Sequence, residues 1–258
     1  MNKVLSTAEI ASTWAETGKR KGNLPLGKMF FLAILAGMFI GFGCVSFLTM
    51  TANYAGETAI FGKLVGAASF SIGLMLVIFF GAELFTGNCL MPIAVLEKKI
   101  TVKQLIRNWL VVYGGNAVGS YIFAYILFLS GLFAGDAMKE NIIKVAQAKV
   151  SMGFTAAVMR GILCNVLVVF ALWFQSASPD MGGKVLAIIF PIMIFVFCGY
   201  EHSIANMFFL PMGQLMGAEV STISAWMNNI IPVTIGNIIG GAGVAVGMWW
   251  VNLKGNKL

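Results

Sequence analysis

The sequence predicts an all-α polytopic membrane protein, six transmembrane helices arranged as two inverted three-helix repeats with helices two and five broken. Three observations carry this. Of 258 residues, 59% are hydrophobic and 10% charged, with a mean hydropathy of +0.89, whereas a soluble domain carries about 25% charged residues. Six apolar stretches follow one another near residues 28–52, 61–95, 105–133, 154–176, 184–216 and 228–252, and about 20 apolar residues cross a bilayer. Finally, GAELFTGN at 81–88 aligns with GYEHSIAN at 199–206, sharing Gly, Glu and Asn at identical spacing, and GNAVG at 115–119 aligns with GNIIG at 236–240. Three spans per copy is an odd number, so the second copy must enter the membrane in the opposite sense.

Residues 1–27 lack the apolar core of a signal peptide and are expected to stay in the mature protein. Ser6 and Glu9 have the spacing of a capping box, and Ile10 and Trp14 share a helical face ahead of Lys19, Arg20 and Lys21. A short amphipathic helix lying on the membrane surface is expected there; a frayed polar tail is the alternative. Residues 28–252 read as a single six-span domain, with repeats at about 28–133 and 154–252, followed by a short tail at 253–258. The net charge of +7 fits positive loops on one side of a membrane better than a nucleic-acid surface. Lys3, Lys19, Arg20, Lys21, Lys28, the loop at 96–108, Lys184, Lys254 and Lys257 fall on one side, against Lys63, Lys139, Lys144 and Lys149 on the other. This bias places both termini in the cytoplasm of an integral plasma (inner) membrane protein. Arg160 opens span four, where it can snorkel. Cys44, Cys89, Cys164 and Cys198 each sit alone in an apolar run, as packing residues rather than zinc ligands or a redox pair.

Spans two and five exceed one straight crossing, and each holds Gly followed by Pro, at Pro92 and Pro211. A break near the midplane turns freed backbone groups and half-helix ends toward a cavity. The deep polar residues are Glu83, Thr86, Asn88, Asn116, Asn165, Glu201, His202, Asn206 and Asn237. An ionisable group at that depth costs about 2.5–3.5 kcal/mol on insertion scales, which makes function the default reading. Glu83 and Glu201 occupy equivalent positions and are expected to accept hydrogen bonds from backbone N–H groups at the breaks; a doubled proton relay is the other possibility. The glycines of spans three and six are read as close helix packing.

His202 has no counterpart, because Leu84 stands at its place in the first repeat. A lone imidazole in a narrow chamber can donate to a small anion or pass it a proton; a neutral ring bonded to a helix carbonyl is the bland alternative. Glu201 and His202 are adjacent, so on a helix they point about 100° apart. Phe195, Cys198, Gly199, His202 and Asn206 share a helical face, which reads as a pore wall. Phe70 and Leu74 stand one turn apart in span two, while Leu84, Phe85 and Thr86 occupy its expected break. Apolar rings at two levels suggest hydrophobic constrictions around a small polar chamber, although lipid or core contact also explains Phe70, Leu74 and Phe195.

Together GAELFTGN (81–88), RGILCN (160–165), GYEHSIANMFFLP (199–211) and PVTIGNIIGG (232–241) resemble the formate/nitrite transporter family, and the resemblance covers essentially the whole chain, including AQAKVS before span four. It implies an aquaporin-like protomer in a homopentamer, with one pore per subunit for small monovalent anions or their acids. By the family pattern, Phe70 and Phe195 match an outer constriction, and Leu74, Leu84, Phe85 and Val168 an inner one. Thr86, Asn165 and His202 match the central anion site, with Glu83, Asn88, Glu201 and Asn206 as structural polar groups at the breaks. Lys149 matches the family lysine that makes the outer mouth attractive to anions; alone it is an ordinary loop lysine. Span four reads CNVLVVFA, where formate and nitrite members commonly read CNWLVCLA, so Val166, Val169 and Phe170 depart. The chain is similar to the clostridial hydrosulfide channel branch, which favours HS⁻ as the anion, with formate and nitrite also permeant. Related members also suggest the N-terminal helix as a cytoplasmic lid.

Other classes fit less well. The paired Asn-Pro-Ala motifs of aquaporins are absent, an ammonium channel places two His in its pore where this chain has one, and VVYGG at 111–115 is not a potassium filter. Ser203 beside His202 lacks the partners of a hydrolase nucleophile, so no enzyme is expected, nor any cofactor or metal. A proton-coupled secondary transporter for formate or nitrite remains the alternative to a channel.

Overall fold

The computed structural model describes residues 4–54 and 56–254; residues 1–3 and 255–258 of the expected terminal segments lie outside them. Ser6 accepts from the Glu9 N–H at 3.3 Å while the Glu9 carboxylate accepts from the Ser6 N–H at 2.7 Å. That capping box opens α1, Thr7–Gly22. Its apolar face, Ile10, Ala11, Trp14, Ala15, Gly18 and Gly22, is buried, and it packs on the protein's own helices rather than lying open for the membrane surface. Gly18 and Gly22 allow this approach, since a Cβ at either would overlap Ala94 or Ile100. Glu16 bonds Lys99, whose ammonium holds that carboxyl below its ordinary pKa, and Arg107 donates to the Leu24 carbonyl at 2.8 Å.

The first span is α2, Leu26–Asn53, which starts after Pro25. The second comes in pieces, α3 (Ala59–Phe70), α4 (Ile72–Phe80), α5 (Phe85–Asn88) and α6 (Pro92–Leu96), with residues 82–84 non-helical between α4 and α5. A second capping box, Thr101 with Gln104, starts α7, Val102–Leu129. After α8 (Asp136–Val150) come α9 (Phe154–Ala177), α10 (Met181–Phe197), α11 (Ser203–Leu215), α12 (Thr222–Ser224) and α13 (Ile231–Trp249). A π-helical turn, Ala225–Ile230, joins α12 to α13. Five segments, Leu26–Asn53, Gly56–Phe80, Val102–Leu129, Phe154–Ala177 and Thr222–Lys254, are long and apolar enough to cross a membrane; α10 and α11 together make the remaining crossing.

The inverted repeat is visible in the packing. α2 lies against α7 as α9 lies against α13. At the crossings a Cβ on Gly119 would strike the Ile34 carbonyl, and one on Gly240 the Ile162 carbonyl, so GNAVG and GNIIG are seams where backbones touch, as small residues permit in membranes. Both breaks begin at a glycine in the left-handed region, Gly81 at φ 79° and Gly199 at φ 76°, a conformation costing a side chain about 1–2 kcal/mol. Pro211, by contrast, sits inside an unbroken α11; glycine alone makes that break.

Two expectations change. Because α10 ends at Phe197 and α11 starts at Ser203, Phe195, Cys198, Gly199, His202 and Asn206 do not share one helical face. Cys198 is exposed, unlike the buried Cys44, Cys89 and Cys164, since the turn at the break carries it outward.

Candidate functional site

Each break exposes a helix N-terminus inside the protein, where unpaired N–H groups are costly. In the first, Asn116 of α7 accepts from the Phe85 N–H at 2.9 Å and donates to the carbonyls of Ala33 and Glu83, both at 2.8 Å. In the second, Asn237 of α13 accepts from the Ser203 N–H at 2.9 Å and donates to the carbonyls of Gly161 and Glu201 at 2.8 and 3.0 Å. The asparagines thus take the contacts foreseen for the glutamates.

The glutamate carboxylates face side chains instead. Lys21 donates to Glu83 at 2.8 Å, and Asn88 bridges Glu83 and Asn108, both at 2.8 Å. Lys149 donates to both oxygens of Glu201 at 3.0 Å, and Asn206 bridges Glu201 and Asn229, both at 2.6 Å. These two clamps are copies, and α1 and α8 supply equivalent lysines. Lys21, Asn108 and Asn229 were missed in the sequence. The signal was there, because Asn108 precedes Asn116 by the spacing at which Asn229 precedes Asn237.

The copies differ in chemistry where Leu84 stands against His202 and where Thr86 stands against Ile204. His202 is extended, φ −112° and ψ 114°, and caps α11: its Nδ1 accepts from the Ala205 N–H at 3.1 Å. With Nδ1 accepting, the neutral ring carries its proton on Nε2, which lies 2.9 Å from Thr86 Oγ1. Nε2–H then donates to Thr86, leaving the hydroxyl hydrogen free for another acceptor. Extended backbone turns neighbouring side chains to opposite sides, so Glu201 reaches its clamp while His202 faces Thr86.

One cavity reaches His202, and a second, beside the other break, ends at Leu74 and Leu84; Thr86 lines neither. The one beside α8, about 230 Å³, is lined by Phe70, Phe195, Lys63, Lys149, Arg160 and His202 among others. The Phe70 and Phe195 rings meet edge to face at 5.7 Å, and Phe195 stacks on His202 at 6.0 Å with 18° between planes. The cavity beside α1, about 270 Å³, is lined by Trp14, Arg20, Lys21, Leu74, Glu83 and Leu84 among others. Leu74 and Leu84 are buried at its inner end.

The remaining site candidates lie elsewhere. Phe85 packs against Tyr113 at 4.9 Å and Trp109 at 6.1 Å, and borders an apolar side pocket instead of either mouth. Val168 is fully buried and lines neither cavity. Asn165 donates to the Asn237 carbonyl at 2.6 Å and makes no hydrogen bond to Thr86 or His202; its Oδ1 is buried without a partner. Val166, Val169 and Phe170 line neither cavity. Among the described residues no group of three or more His, Cys, Asp or Glu is placed to hold a metal ion.

Comparison with known proteins agrees with this architecture. A probable formate transporter of Methanothermobacter thermautotrophicus is 40% identical across 96% of this chain and 97% of its own length. A solved pentameric formate channel with formate bound superposes with a TM-score of 0.79 at 36% identity, covering 89% of this chain and 97% of its own. A solved ion channel of the FNT family gives a TM-score of 0.85 at 30% identity over 94% and 98% of the two chains. These relatives are transport proteins, not enzymes. Residues 8–251 match the profile described as formate/nitrite transporter, and the chain, with its clamped breaks and paired mouths, belongs to the formate/nitrite transporter family.

Proposed function

We propose that this chain is a channel subunit for small monovalent anions, with HS⁻ favoured and formate and nitrite also permeant, through a pore whose centre is the His202–Thr86 pair. The observation that carries it is one cation-bearing cavity reaching His202 behind Phe70 and Phe195, and a second cation-bearing cavity reaching Leu74 and Leu84, with the Thr86–His202 hydrogen bond beside the first. An anion leaving water between apolar side chains loses its hydration. The free Thr86 hydroxyl hydrogen offers a replacement donor at that point, and an imidazole that first takes a proton from water in its cavity can pass it to the anion and return to the neutral form, so the cargo crosses the narrowest stretch as its uncharged acid. Weak-acid anions suit this path and chloride does not. Formate is supported by the relatives named for it; HS⁻ rests on the sequence's similarity to the hydrosulfide branch, with Val166, Val169 and Phe170 departing from the formate and nitrite pattern. The clamps of Glu83 with Asn88 and Glu201 with Asn206 hold the broken helices open around the path. The likeness to a pentameric channel supports a homopentamer, and the lysine and arginine bias supports a plasma (inner) membrane location with cytoplasmic termini.

A titratable ring at the junction also favours a second reading, proton-coupled transport of formate or nitrite. Flux in proteoliposomes decides between them. Hydrosulfide, formate, nitrite, chloride and glycerol are compared at one pH under a fixed gradient. Fast weak-acid anion flux with little chloride or glycerol is expected, and formate outrunning hydrosulfide would overturn the HS⁻ preference. Glycerol flux without anion flux would overturn the anion pore. Accumulation driven by an imposed pH gradient would favour the coupled transporter.

A further inference from the structure

The charges that capture anions need not be those of the two lysines. Lys149 is engaged by both oxygens of Glu201, and its ammonium lies 5.2 Å from the Phe209 ring. Lys21 is engaged by Glu83. Each lysine is thus neutralised by the carboxylate it clamps, and a neutral pair exerts little pull on a distant anion. The cavity beside α8 is nonetheless lined by three basic side chains and one carboxylate, and the cavity beside α1 by two basic side chains and one carboxylate. Arg160 and Arg20 account for the excess. Both are exposed, and among the described residues no hydrogen bond or ion pair engages either guanidinium. Lys63 is the other unpaired cation beside α8, but it sits over the Phe197 ring at 5.5 Å and also borders a cavity that contains Glu140. On α1, the carboxylate one turn before Arg20 is Glu16, and Lys99 holds it.

We propose that Arg160 and Arg20 are the anion-capturing residues of the two mouths, and that Lys149 and Lys21 serve the helix breaks. Arg160 comes from the second turn of α9 and Arg20 from the last turn of α1, so they are not copies of one another; each mouth acquired its free charge separately, while the repeat supplied the clamps. An unpaired guanidinium raises the concentration of anions at its own mouth, with its reach set by the Debye length, about 30 Å at 0.01 M and 3 Å at 1 M ionic strength.

The inference rests on the anion-pore reading, and the test separates the two. Formate flux is measured in proteoliposomes carrying wild type, Arg160→Gln, Arg160→Lys, Arg20→Gln and the double Gln variant, at about 0.01 M and about 1 M ionic strength set by an impermeant salt. One unit charge about 6–10 Å from the entering anion predicts a loss of about two- to threefold for each Gln variant at low salt, more for the double variant, and none at high salt. Arg160→Lys should behave as wild type. Gln variants equal to wild type at low salt would overturn the assignment. An equal loss at both salts would also overturn it, since a structural defect is not screened. Wild type passing no formate at either salt would instead overturn the anion-pore reading and this inference with it.

Discussion

His202 works through both ring nitrogens. Nδ1 caps α11 and Nε2 meets Thr86, so proton uptake at Nδ1 would break the cap and couple the charge of the ring to the end of a broken helix. His202→Phe loses both contacts: the lost cap costs about 1 kcal/mol, and formate flux should be abolished or change its dependence on pH. Flux with the wild-type pH profile in that variant would refute the role. Glu201 answers a different question. Removing one member of a buried ion pair strands its partner and costs about 3–5 kcal/mol, so Glu201→Gln should lower the melting temperature of the detergent-solubilised protein. Glu201→Gln with Lys149→Met should recover part of the loss. A single variant as stable as wild type would show the clamp to be idle.

Among the elements, α1 is the one whose role changed most between sequence and structure. It supplies Lys21 to Glu83, walls one cavity with Trp14 and is fixed to the loop before α7 through Glu16 and Lys99. Deleting residues 1–24 should destabilise the protein at least as much as Lys21→Met, read as a lower melting temperature. If α1 closes its mouth as a lid, the deletion also alters the pH sensitivity of flux, and unaltered sensitivity removes that role. The capping box, the six spans and the breaks at Gly81 and Gly199 were legible because each depends on local chemistry: an oxygen three residues from an N–H, a run of apolar side chains, a left-handed backbone. The clamps were not. Lys21 reaches Glu83 across 62 residues and Asn206 reaches Asn229 across 23, and nothing local marks α8 as the counterpart of α1 when its sequence reads as a polar connection. Glu201 and His202 do point apart, but by extended backbone and not by the 100° helical step read from the sequence.

At the scale of the whole molecule, the two repeats give similar scaffolds and dissimilar contents. Both breaks are fastened by Lys, Glu, Asn and Asn, yet only the second carries a titratable ring, and the two mouths differ in charge. On the proposed function, the selectivity order belongs to the junction and the rate at low concentration to the mouths. The bonds between the two repeats have a kinetic corollary. A carrier that alternates between two facings must rock one repeat past the other, which here would tear the side-chain bonds that join the repeats, Thr86 with His202, Tyr113 with Thr234 and Trp226 with Tyr121, on every cycle, and such a cycle slows steeply on cooling. A pathway whose walls stay put, and where only Phe70, Phe195 and Leu74 need to swing aside, slows on cooling about as gently as water thickens. An Arrhenius slope for formate entry close to that of free diffusion would mark the protein as a fixed sieve, and a steep one would mean that the seam between the repeats comes undone on every passage.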